Sequence, residues 1–301
     1  MSKVLFIFLD GIGIGEKNAE VNPFFKHGFK TFTEHFGGIP HHENRVLIKN
    51  ERYLFPVDAR LGVEGIPQSG TGQASIFGGF NAPELAGRHY GPFPFSSTIP
   101  VLHEENIFRK VKEAGKKAFF ANAYPKVFFD YLKSGKNRLS VTSLSYRAAG
   151  FRLNSSTDVR AARALTAEIT SERWVNRLHY RLPILTPEGA AKRLLRIAGK
   201  NDFTLYEYYL SDHLGHGRLS DEFLNIFTTL DKFLFEVIRT LPEDMTLFIV
   251  SDHGNLEDTS VKQHTLNSSL AISAGVHAKF LYENIRALNE VRDAVLKIMM
   301  H

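Results

Sequence analysis

The sequence predicts an α/β fold, a three-layer sandwich around an open and largely parallel central sheet. Two observations carry this. Apolar runs of strand length recur at residues 4–9, 117–121, 203–210 and 245–250, and they mark strands buried on both faces of a parallel sheet. The later runs each follow a helix-like stretch closed by glycine or proline, and alternating helix with apolar strand is the signature of an open α/β sheet.

The elements follow in order. Val4-Leu5-Phe6-Ile7-Phe8-Leu9 ends abruptly at Asp10-Gly11 and predicts a central strand. Helical patterns cover 104–114, closed by Gly115, and 220–240, closed by Pro242. A third begins at Thr186, which suits an N-cap, with Pro187 at the first helical position and Glu188 in the first turn, and it runs to Ala198 before Gly199. Residues 124–185 break the rhythm: Ser, Arg and Asn are frequent, no clean apolar strand appears, and the one helical pattern covers 158–168. The expectation is a single domain over residues 1–301, with 124–185 either a small inserted cap or a long surface excursion.

Composition narrows the function. With 43% hydrophobic and 23% charged residues the chain is an ordinary globular one. It has no cysteine, which excludes disulfides, thiolate nucleophiles and cysteine-ligated metal. The formal charge of +5 is spread along the chain, which suits a small anionic substrate better than nucleic acid. The apolar run at 4–9 is too short for a secretory signal or a membrane span, so the expected setting is cytoplasmic, without membrane or nucleic-acid partners.

Hard and borderline metal ligands follow the apolar runs. Asp10-Gly11-Ile12-Gly13-Ile14-Gly15 follows the first, Asp212-His213-Leu214-Gly215-His216 the third, and Asp252-His253-Gly254-Asn255 the fourth, with Gln263-His264-Thr265 beyond it. Ligands in such sheets gather at the carboxyl ends of the strands, and mixed carboxylate and imidazole suits Zn²⁺ or Mn²⁺, with Mg²⁺ a third choice. A fifth segment, Gln68-Ser69-Gly70-Thr71-Gly72-Gln73, sets two hydroxyls among small residues where a helix should start. A hydroxyl there has backbone N–H groups and the positive dipole end beside it, which favours phosphate.

These segments resemble the alkaline phosphatase superfamily, nearest its branch of cofactor-independent phosphoglycerate mutase and phosphopentomutase. The resemblance covers residues 1–122 and 186–275. It implies one divalent ion on Asp212, His216 and His264, and a second on Asp10, Asp252, His253 and the Ser69 oxygen. It also implies Ser69 as the phosphorylated nucleophile, with Thr71 as the alternative. Gln73 stands where the family has His, and His213 is expected to be a bystander.

The implied function is two-metal phosphoryl transfer through phosphoserine, acting on a small phosphorylated substrate. Little chain is left for a water-excluding cap, which favours hydrolysis of a phosphomonoester over a phosphomutase; a catalytically weak metal-binding protein is the remaining alternative. Arg138, Arg147 and Arg152 are candidates for gripping a second anionic group.

Overall fold

The computed structural model describes residues 3–136 and 138–300. Its centre is a seven-stranded sheet. Strand Lys3–Leu9 lies inside the sheet, parallel to Phe203–Tyr208 on one side and Met245–Ser251 on the other, and Ala118–Phe120 adds a fourth parallel strand beyond Phe203–Tyr208. The far edge is antiparallel, where Ser269–Gly275, Arg52–Val57 and Leu47–Lys49 follow Met245–Ser251 in turn.

Continuous apolar strands feed two cores. Alternate side chains point to opposite faces, so Leu5, Ile7 and Leu9 pack under helices Pro187–Ala198 and Phe223–Arg239. Val4, Phe6 and Phe8 pack on the other side with Ser69–Gly78, Ile107–Glu113 and Val291–Met300. This is the three-layer arrangement.

Register then positions the site. Leu9 pairs with both Tyr208 and Ser251, so Asp10 and Asp252 emerge side by side from adjacent parallel strands. Both carry the parity of Phe6, Phe8, Phe248 and Val250, which turns them to the face covered by the Ser69–Gly78 helix.

The expected strands are all present, slightly shorter or longer at their ends. Thr186 caps its helix as expected, its hydroxyl accepting from Gly189 N–H. The helix expected at 104–114 is two, Ile99–Glu105 and Ile107–Glu113, because the Asn106 side chain caps the second at Arg109 N–H. The pattern at 158–168 also misleads. Ser155 and Asp158 form a capping box that starts a helix at Ser156, but it ends at Arg160, and Ala162 turns left-handed at φ 55°. Leu165–Thr166 is then a short strand, joined with Asn122–Tyr124 and Asn154–Ser155 in a small parallel sheet.

Within residues 124–185, helix Val141–Ala148 adds Val141 and Tyr146 to the core that holds Phe6 and Phe77. Among the described residues, no helix is long and apolar enough to cross a membrane.

Phe6 is fully buried, with the rings of Phe77, Phe203 and Phe248 at centroid distances of 5.9, 6.0 and 5.4 Å. Phe6→Ala should therefore cost about 3–5 kcal/mol in urea unfolding; a loss below about 1 kcal/mol would contradict the packing described.

Candidate metal centre

Four chain segments bring their polar side chains together at the carboxyl ends of the central strands. Asp10 and Asp252 leave their strands directly. After Tyr208 the chain turns into the short helix Leu210–Gly215, which sets Asp212 and His216 one turn apart on the same face, with Asp212 Oδ1 to His216 Nε2 at 3.3 Å. His264 arrives on the return from Met245–Ser251, in a loop pinned by a bridge between Gly254 and Thr265.

The three imidazoles are held alike. His216 Nδ1 donates to the Lys262 carbonyl at 2.9 Å, His264 Nδ1 to the Pro67 carbonyl at 2.8 Å, and His253 Nδ1 to the Gly254 carbonyl at 3.3 Å. Such bonds fix the ring and aim Nε2 at the site, the arrangement that readies an imidazole as a metal ligand. His264 Nε2 lies 3.4 Å from Asp212 Oδ1 and 3.2 Å from His216 Nε2. His253 Nε2 lies 3.3 Å from Asp10 Oδ1 and 3.5 Å from Asp252 Oδ2. The His253 and His264 rings stack at 3.6 Å, so His253 joins the two groups.

Ligand atoms of Asp10, Asp252 and His253 fall within 4.8 Å of one another, as do those of Asp212, His253 and His264. The Ser69 hydroxyl, on the first residue of helix Ser69–Gly78, bonds His253 Nε2 at 3.0 Å.

The electrostatics of these groups call for positive charge. Burial, reinforced by the charges of Asp252 and Asp212, pushes Asp10 up to about 7. Burial likewise pushes Asp252 up to about 6. Asp212 goes the other way: burial opposes its charge, but hydrogen bonds from His216 and His264 overcome that and hold it well below the usual carboxylate range. Burial would lower His253, yet the carboxylates of Asp252, Asp10 and Asp212 drive it up to about 10. Asp10 Oδ1 is buried without a hydrogen-bond partner, in ion-pair contact only with His253. Three carboxylates and aimed imidazole nitrogens, with a buried oxygen left over, fit divalent cations.

Several groups that hold this arrangement carry no conspicuous signal in the sequence. The Glu257 carboxylate accepts from Gly13 N–H at 2.7 Å, Asn255 N–H at 2.8 Å, Thr265 Oγ1 at 2.6 Å and Asn267 Nδ2 at 3.0 Å. One buried side chain thus ties the Asp10, Asp252 and His264 loops together. Asn255 Nδ2 donates to Asp212 Oδ1 at 2.6 Å, and Ser211 Oγ donates to the Asp10 carbonyl at 2.6 Å. Asn255 lies inside a motif, Ser211 directly before one and Glu257 only two residues beyond one, so spacing from the motif was the available clue. Glu207, buried at the end of its strand, accepts from Thr142 Oγ1 at 3.1 Å.

The remaining candidates divide. Thr71 Oγ1 is engaged with the Gln68 and Tyr90 carbonyls and accepts from Tyr90 N–H, so its hydroxyl serves the loop that closes the helix start. Gln73, one turn after Ser69, donates from Nε2 to Asp252 Oδ2 at 3.4 Å, and its Oε1 is buried without a partner. His213 stands apart, its ring 5.3 Å from that of Tyr209. Arg152 pairs with Asp158, whereas Arg138 and Arg147 line a cavity.

Comparison with known proteins bears on the fold and on the family. Residues 187–300 match the model of the metalloenzyme superfamily. The PH0037 protein from Pyrococcus horikoshii superposes with a TM-score of 0.55 at 14% identity, over 99% of this chain and 96% of that one. Alkaline phosphatase from the Antarctic bacterium TAB5 gives 0.52 at 12%, over 99% and 98%. The lipoteichoic acid synthase LtaP from Listeria monocytogenes gives 0.52 at 11%, over 99% and 72%. At these identities the likeness is one of fold, and no curated protein sequence matches. The fold is alkaline phosphatase-like, and residues 187–300 carry the match to the metalloenzyme superfamily.

The tightest approach around Ser69 is at Gly70, where an added Cβ would lie 2.0 Å from the Phe93 carbonyl oxygen. Gly70→Ala should displace the 90–93 loop and cost about 3 kcal/mol in chemical denaturation. An unchanged unfolding midpoint would show that the loop does not pack there.

Proposed function

We propose that the protein is a metal-dependent phosphoryl-transfer enzyme that takes a phosphoryl group onto Ser69 and passes it to water, hydrolysing a small phosphomonoester. The observation that carries this reading is the place of the Ser69 hydroxyl, bonded to His253 at the start of a ten-residue helix and beside the clustered carboxylates. In this reading Asp212, His216 and His264 hold one divalent cation, and Asp10, Asp252, His253 and the Ser69 oxygen hold a second. The donor set suits Zn²⁺ or Mn²⁺, then Mg²⁺.

When bound, such ions supply Lewis-acid polarisation of the phosphoryl oxygens and lower the pKa of a neighbouring hydroxyl. Ser69 Oγ gives up its proton and attacks phosphorus, the bond to the ester oxygen breaks, and the leaving alkoxide takes up a proton in its place. Water then cleaves the phosphoserine, restoring the hydroxyl and releasing phosphate. The helix start leaves the Ser69 and Gly70 N–H groups outside the intrahelical ladder, where they can meet phosphate oxygens. The Nδ1 bonds of the three histidines keep their Nε2 atoms directed inward throughout.

Hydrolysis is favoured over return transfer by the packing of residues 124–185. Helix Val141–Ala148 is built into the core beside Phe77, whereas retention of a phosphoryl group calls for a cover that closes over it. The same packing favours one metalloenzyme domain for the whole chain.

Two substitutions test the roles. With p-nitrophenyl phosphate as substrate, Ser69→Ala should lower kcat by about a thousandfold or more, while Thr71→Ala keeps most of it; the opposite order would make Thr71 the nucleophile. Asp252→Asn should abolish turnover and lower the bound metal measured by elemental analysis, with the circular dichroism spectrum unchanged. Full metal content and activity in that variant would remove Asp252 from the site.

A further inference from the structure

Gln73 lies at the metal centre, yet half of its amide is unused. It follows Ser69 by one turn of helix Ser69–Gly78 and so shares its face. That helix lies directly on Asp252: a Cβ at Gly72 would come within 2.9 Å of Asp252 Cβ and 3.0 Å of the Asp252 carbonyl oxygen. Gln73 is only 3% exposed, and its amide meets a carboxylate that is fully buried.

The spacing there is that of atoms around a common ion. Gln73 Nε2 lies 3.4 Å from Asp252 Oδ2, whereas about 2.9–3.0 Å is usual for an N–H···O hydrogen bond. It matches the separations of the neighbouring ligand candidates, 3.5 Å from Asp252 Oδ2 to His253 Nε2 and 3.3 Å from His253 Nε2 to Asp10 Oδ1. Two donors each about 2.1 Å from one ion stand roughly 3.0–3.4 Å apart at right or tetrahedral angles.

Gln73 Oε1 has no hydrogen-bond partner among the described residues, and neither has Asp10 Oδ1. Burying such an acceptor unsatisfied costs about 1–3 kcal/mol. Two orphaned oxygens beside one buried carboxylate call for a cation, and a half-turn of its last bond exchanges the ends of the amide. Asn255 differs, because Asp212 Oδ1 holds its Nδ2 at 2.6 Å and commits that amide to donating.

We infer that Gln73 is a ligand residue of the second cation, its amide oxygen joining Asp10, Asp252, His253 and the Ser69 oxygen. The inference rests on the metal-dependent reading of that site. Asp10 and Asp252 already match the charge of a divalent ion, so a neutral oxygen adds a donor without adding charge. With Gln73 the set rises from four donors to five, all oxygen except His253. Zn²⁺ prefers four ligands, whereas Mn²⁺ and Mg²⁺ favour oxygen and higher coordination. Gln73 therefore biases the second ion towards Mn²⁺ or Mg²⁺, and its loss leaves a four-donor set suited to Zn²⁺.

The test removes the oxygen, or keeps it, in the full-length protein. Wild type, Gln73→Met and Gln73→Glu are loaded with Mn²⁺ or with Zn²⁺ and titrated with a chelator, the retained metal being read by elemental analysis. Wild type should hold two ions of either kind. Gln73→Met should release one Mn²⁺ at chelator concentrations at least about tenfold lower, while its Zn²⁺ curve moves by less than about threefold. Gln73→Glu, which keeps an oxygen and loses the amide N–H, should hold two Mn²⁺ at least as tightly as wild type. Circular dichroism checks the fold, and Gln73→Leu repeats the measurement if Gln73→Met does not fold. An unchanged Mn²⁺ curve, or equal losses of Mn²⁺ and Zn²⁺, overturns the assignment. So does early Mn²⁺ release from Gln73→Glu, which would leave the amide N–H only the role of steadying Asp252. Wild type that retains neither metal overturns instead the metal centre on which the inference rests.

Discussion

The constraint on which the rest depends is the burial of three carboxylates, Asp10, Asp212 and Asp252, at one end of the sheet. Taking a carboxylate out of water costs several kcal/mol even after relaxation, roughly additively for each ion. Like charges at close quarters add to that. The protein answers with imidazoles: His253 lies between Asp10 and Asp252, and His216 and His264 meet at Asp212. The unequal outcome, with Asp212 kept charged and Asp10 pushed towards neutrality, is that of a cluster short of positive charge. A site strained in this way is built for cations.

The fold supplies the cluster at low conformational cost. Parallel neighbours in register deliver Asp10 and Asp252 side by side, and one turn of helix spaces Asp212 from His216. The loops that follow lack secondary structure of their own and are tied by Glu257, whose carboxylate satisfies donors from three of them. Buried polar networks of this kind are favourable only when every member is satisfied. Three oxygens are exceptions, buried without a hydrogen-bond partner: Gln73 Oε1, whose amide nitrogen supports Asp252, Asn255 Oδ1 and Asp10 Oδ1.

Much of the fold and of the ligand cluster was legible because both are local signals. An apolar run that stops at Asp-Gly or Asp-His reports a buried strand and its functional end in the same few residues. The antiparallel edge was not legible: Arg52–Val57 carries Pro56, and Ser269–Gly275 is mostly Ser and Ala, so neither reads as a strand until Met245–Ser251 partners Ser269–Gly275, which in turn partners Arg52–Val57. Glu257 looks like any loop carboxylate, and only the convergence of three distant segments gives it a role. The 158–168 pattern was misread as one helix because periodicity does not register the Ser155 capping box or the left-handed Ala162 that ends the helix it starts. The arginines of the middle region could be sorted only by their partners, since Arg152 and Arg147 are equivalent as sequence and opposite as structure.

The phosphoryl-transfer reading proposed for Ser69 depends on a metal site at the carboxyl ends of the strands. Its central claim is that the strand edge holds two divalent ions. The most direct measurement is anomalous scattering from crystals grown with Mn²⁺. The predicted result is two peaks about 4 Å apart, one among Asp212, His216 and His264, the other among Asp10, Asp252 and His253. A single peak, or metal bound away from these residues, would contradict it.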